Sequence, residues 1–83
     1  MKPSESAIRE KILLLAQARG VEKTFCPSEV ARSLDALEWR KWMDTIRNVG
    51  TKMMREGVIE ITQHGITIDP QNIKGPVRFR LKK

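Results

Sequence analysis

The sequence has one cysteine, Cys26, and one histidine, His64. No intrachain disulfide can form, which fits a reducing compartment. A zinc site made only of protein ligands is nearly excluded, because such sites draw on several Cys and His residues. An iron site of two histidines and a carboxylate is excluded within one chain. The glycines Gly20, Gly50, Gly57, Gly65 and Gly75 stand singly, so no phosphate-cradling loop is present. The longest apolar run is Ile12 to Ala16, far short of the roughly 20 residues that span a bilayer. The stretch from Met1 to Glu5 lacks the apolar core of a secretory signal. Together these absences predict a cytoplasmic protein with no cofactor, no metal and no membrane attachment.

What remains is short and basic. The 83 residues carry a formal net charge of +6. A chain of this size buries only roughly 60% of its unfolded surface, enough for one modest core. A single domain over 1–83 is expected, with 1–5 flexible and 82–83 frayed. A large catalytic cavity beside that core is not expected, and the protein reads as a non-enzyme. Hydrophobic residues make up 40% and charged residues 31%, which separates the chain from disordered sequences. The basic excess calls for an anionic partner, with nucleic acid ahead of a membrane surface.

The charge is unevenly distributed. Residues 1–38 are neutral, 39–57 carry +3, 58–73 carry −2 and 74–83 carry +5. The first basic block holds Arg40, Lys41, Arg47, Lys52 and Arg55; the second holds Lys74, Arg78, Arg80, Lys82 and Lys83.

Hydrophobic periodicity orders the elements. Ile8, Ile12, Leu15 and Ala16 recur at helical spacing, widened by Leu14, and predict a helix from about Ser6 to Arg19. Ser4 or Ser6 can cap it, and Gly20 ends it. Thr24-Phe25, approaching a proline, reads as extended and as a short strand. Pro27 opens a second helix that ends near Leu34, with Cys26 at its N-cap. A third helical region runs from about Leu37 to Arg55, with a break near Lys41. In it Trp42, Ile46, Val49 and Met53 form the cleanest amphipathic stripe. Gly50 lies beside that stripe, which predicts close approach of another helix. After Gly57 the period changes to two: Ile59 and Ile61, Ile66 and Ile68, then Val77, Phe79 and Leu81. His64-Gly65, Asp69-Pro70 and Gly75-Pro76 are turn signals, and Asp69 can cap a helical turn over 70–73.

This order predicts an α+β domain: a winged helix-turn-helix of three helices and a C-terminal β-hairpin wing. The competing topology is a three-stranded meander with Ile66–Ile68 as a full middle strand. Thr24-Phe25-Cys26-Pro27-Ser28-Glu29-Val30-Ala31, the Trp39 and Trp42 region, Thr62-Gln63-His64-Gly65, Asp69-Pro70 and Gly75-Pro76-Val77-Arg78-Phe79-Arg80 carry a resemblance. Over about Ala7 to Leu81 the chain resembles a small bacterial family catalogued only as a domain of unknown function. The resemblance implies a winged-helix fold and a bacterial source, and no activity.

Opposite the stripe of the third helix, Lys41, Thr45, Asn48, Lys52 and Arg55 share one face with no acid among them. Such a face suits the major groove: cations reach phosphates or guanine edges, and Asn48 pairs with adenine. An ordinary solvated helix face has the same pattern. Arg78, Arg80 and Lys82 line one face of the last strand and can reach the DNA backbone. Equally, they can protect a sheet edge, or pair with Asp69, Glu29 or Glu60. Cys26 at a helix N-terminus is either redox-sensitive or a packed, inert residue. A Cys26–His64 nucleophilic pair requires both side chains to meet. Trp39, Trp42, Met43, Met53 and Met54 read as core, and exposure of Trp39 or Met54 would mark a dimer or partner surface. The expected partner is double-stranded DNA, with another protein as the alternative; monomer and dimer are both open.

Overall fold

The computed structural model describes residues 3–68 and 75–83. The expected turn over 70–73, its cap Asp69 and the tip residue Lys74 lie outside them. Three helices, α1 (Glu5–Arg19), α2 (Pro27–Leu34) and α3 (Met43–Arg55), pack on a sheet of β1 (Thr24–Phe25), β2 (Ile59–Gln63), β3 (Ile66–Thr67) and β4 (Arg78–Leu81). A 3-10 turn over Trp39–Trp42 leads directly into α3. The domain is α+β, with all strand pairs antiparallel and the order β1-β4-β2-β3.

The helix ends have local causes. The Ala7 amide donates to Ser4 Oγ at 3.1 Å, so α1 begins at Glu5. Gly20, at φ 79°, closes it. Pro27 opens α2 at a position where no amide hydrogen is needed. The Glu29 carboxylate turns back to accept from the Cys26 amide at 2.9 Å, satisfying one of the orphan donors at the start of α2. Asp35 organises the next segment. Its carboxylate accepts from the Glu38 amide and from Trp42 Nε1, both at 3.0 Å. These two bonds shape the turn that the sequence pattern registered only as a break near Lys41.

The core joins the inner faces of the two layers. Ile8, Ile12 and Ala16 of α1, Val30 and Ala31 of α2, and Ile46, Val49 and Met53 of α3 are buried. They meet Phe25, Ile59, Ile61, Val77 and Phe79 from the sheet side. Phe79 pairs with Phe25 on one side and Ile61 on the other. The Phe25 and Phe79 rings meet edge to face, 5.7 Å between centroids. Leu14 does not widen the buried α1 stripe; it is 53% exposed. Its neighbour Leu15 is half-buried against the core.

Two expectations change. Gly50 admits no neighbouring helix; it receives the Phe79 ring, and a Cβ there would collide with the ring edge. The close approach is helix to sheet. The meander is also excluded: β2 pairs directly with β4, while β3 is a two-residue outer strand. His64 and Gly65, at φ 53° and 80°, make the tight turn from β2 to β3.

Candidate nucleic-acid interface

α3 presents Thr45, Asn48, Lys52 and Arg55 to solvent on the side away from its buried stripe. Thr45, Asn48 and Arg55 make no hydrogen bond or ion pair among the described residues. Lys52 is engaged: its Nζ lies 2.9 Å from Glu5 Oε1, at the start of α1. One turn on, Glu56 binds Arg9. That bond, followed by the charge of Arg9, holds the Glu56 carboxyl below its ordinary range. The first half of α1 therefore flanks the second half of α3. Both members of the Lys52–Glu5 pair remain more than half exposed. Exposed pairs of this kind contribute at most about 1 kcal/mol, so a phosphate can compete for the lysine.

Lys41 stands in the 3-10 turn and not in α3. Its Nζ contacts Glu38 Oε2 at 2.9 Å. On the same segment Trp39 is half-buried, with the guanidinium carbons of Arg32 and Arg40 each 4.4 Å from its ring centroid. Leu37 beside it is 93% exposed.

The second basic block behaves differently. Arg78, Arg80 and Lys82 alternate with Phe79, so they project from the sheet face turned away from α3. Arg80 donates to Glu60 Oε2 at 2.6 Å, directly across the β2–β4 pair. This bond and the arginine charge hold the Glu60 carboxyl below its ordinary range. Arg78 donates from Nε to Thr24 Oγ1 at 2.6 Å and from a terminal nitrogen to Cys26 Sγ at 3.0 Å. It fastens β4 to the junction of β1 and α2. Among the described residues the two blocks come near each other at the chain end, where the Lys82 amide donates to the Val58 carbonyl at 3.3 Å, three positions past Arg55.

Cys26 is half-buried, with that guanidinium on its sulfur. His64 lies in the exposed β2–β3 turn, with β4 and β2 between it and the Cys26 end of β1. At roughly 4.8 Å per strand spacing the two side chains are too far apart to act as a pair. Among the described residues no group of three His, Cys, Asp or Glu could hold a metal ion. No helix among them is long and apolar enough to cross a membrane.

Sequence reasoning missed one feature. A cavity of about 360 Å³ opens between α3 and the segment leading into β4. Asp44, Arg47, Asn48 and Thr51 form its wall on α3. Their spacing of three, four and seven residues marks one helix flank and was readable in the sequence. The opposing wall was not, because it comes from Ile61, Gly75, Val77 and Phe79.

A model of the family described as "Protein of unknown function (DUF3253)" matches residues 5–82. The chain belongs to that family. The match spans every element described above, from the start of α1 through β4. No curated protein matches the chain.

Proposed function

We propose that this DUF3253 protein is a cytoplasmic winged helix-turn-helix protein that binds double-stranded DNA without enzymatic activity, laying α3 in the major groove. α2 and α3 are the helix-turn-helix, and the β2–β4 hairpin is the wing. The element order and the strand order β1-β4-β2 support this assignment. The observation that carries the DNA reading is the outer face of α3. Thr45, Asn48, Lys52 and Arg55 lie together there, exposed and without a carboxylate among them.

Asn48 has the amide geometry for the adenine edge, and Lys52 and Arg55 suit phosphates or guanine. Lys82, projecting from the sheet face turned away from α3, adds only long-range positive charge. Lys41 contributes charge at the entry to α3. Arg78 and Arg80 act inside the protein, holding Thr24, Cys26 and Glu60, and contribute little to DNA contact. The test is fluorescence anisotropy with a random-sequence duplex over a salt series. Binding should weaken with salt by about 0.9 log units per log unit for each phosphate contacted. Asn48→Glu and Arg55→Glu should abolish it.

A second reading rests on a different observation. Leu37, almost fully exposed beside Trp39 and its two arginines, is an unusual side chain to leave in water. In that reading the surface between α2 and α3 docks an acidic protein. Nuclease-treated affinity capture separates the two: a partner retained after nuclease treatment and lost on Leu37→Asp supports docking.

A further inference from the structure

Asp44 and Arg47 line one cavity with opposite charges, yet they do not pair with each other. One helical turn apart on α3, they are spaced for a salt bridge. Neither has an ion-pair partner among the described residues. Arg47 Nε is shielded from solvent and has no hydrogen-bond partner there. An unpaired N–H shielded from water is unfavourable, and a bound acceptor would satisfy it.

The rest of the cavity is amphipathic. Thr51 Oγ1 donates to the Arg47 carbonyl at 2.9 Å, so its position is fixed. The Asn48 amide offers both a donor and an acceptor. The floor is apolar, made by Ile61, Val77 and Phe79, all buried. The volume of about 360 Å³ falls at the lower end of small-ligand sites, roughly 300–1,000 Å³.

We infer that this cavity binds a small zwitterion with an apolar body, of the chemical class of an aromatic amino acid. The ligand carboxylate sits on Arg47, its ammonium group on Asp44, and its ring on the Val77 and Phe79 floor. The site shares Asn48 with the face proposed for DNA; its charged anchors, Asp44 and Arg47, have no part in that reading, and it needs none of Lys52, Arg55 or Lys82.

The experiment is an amide-resolved NMR titration of the whole chain with three probes at millimolar concentrations: L-phenylalanine, 3-phenylpropionate and inorganic phosphate. Phenylalanine should shift the amides of 44–51 and 77–79, and 3-phenylpropionate should bind the same place more weakly. Phosphate should leave these amides unmoved. Arg47→Met should weaken both organic probes roughly 10- to 100-fold, the size of a lost charged hydrogen bond. Asp44→Asn should remove the advantage of phenylalanine over 3-phenylpropionate and leave the latter unchanged. If phenylalanine leaves 44–51 unmoved, or phosphate moves them equally, the proposal fails. Shifts that persist in Arg47→Met also overturn it. Should a variant not fold, the contrast among the three probes on the unaltered protein decides the matter.

Discussion

Gly50 of α3 lies against the edge of the Phe79 ring of β4, with no room for a methyl group between them. This contact sets how closely the helix that carries the candidate interface approaches the sheet. Alanine at this position gains about 1 kcal/mol of helix propensity over glycine. The forced displacement of a buried ring works against that gain, and overpacking of this kind costs about 1–3 kcal/mol. Gly50→Ala should therefore destabilise the domain by up to about 2 kcal/mol in urea melts. Combining it with Phe79→Leu should cost less than the two changes summed, because the second removes the clash.

The Lys52–Glu5 pair gives a prediction for affinity. Glu5→Gln releases the lysine and removes a negative charge beside α3. Affinity for duplex DNA should rise by up to about fivefold at low salt, and the gain should fade as salt is added. Anisotropy titrations at two ionic strengths check both parts.

Acid should weaken the fold. Glu29 is held below its ordinary range by the Arg19 guanidinium and then by the Cys26 amide, despite its partial burial. Asp35 is held low by Trp42 Nε1 and the Glu38 amide. Glu60 is held low by Arg80. Each binds its proton less readily folded than unfolded. Their contribution is therefore complete above the ordinary carboxyl values and is lost as the pH falls through the lowered ones. The urea midpoint should drop between about pH 5 and about pH 3. Glu60→Gln should lower stability at neutral pH and flatten that drop.

Cys26 occupies an N-cap, where a short polar side chain suffices. Cys26→Ser should fold with a melting temperature close to that of the unaltered protein. Cys26→Val, which keeps the backbone bonds to Glu29 but removes the sulfur that accepts from Arg78, should lose about 1 kcal/mol. Thermal denaturation of the two variants distinguishes an acceptor role toward Arg78 from simple apolar packing.

The local elements were legible because their causes are local. Pro27, Gly20, Gly57 and the His64-Gly65 turn mark boundaries in the sequence, and the stripe Trp42, Ile46, Val49, Met53 identifies α3. The state of the charges was not legible in this way. Lys52 meets Glu5 and Arg9 meets Glu56 across 47 positions, a separation that block-by-block charge counting cannot see. Arg80 was open to pairing with Glu60 in the sequence, but only the β2–β4 register selects that partner. The role of Gly50 likewise depended on which element returned to α3, and Phe79 could be named only once β4 was in place. The cavity needed two elements far apart in the chain, so its α3 wall alone gave no sign of a hollow.

The central claim, that α3 reads duplex DNA, is tested most directly by titrating the isotope-labelled protein with a short duplex and following backbone amides by NMR. Salt-sensitive shifts should concentrate at Thr45, Asn48, Lys52 and Arg55 and disappear in Arg55→Glu. Absence of shifts at low salt, or shifts confined to 37–40 or to the outer face of the sheet, would contradict it.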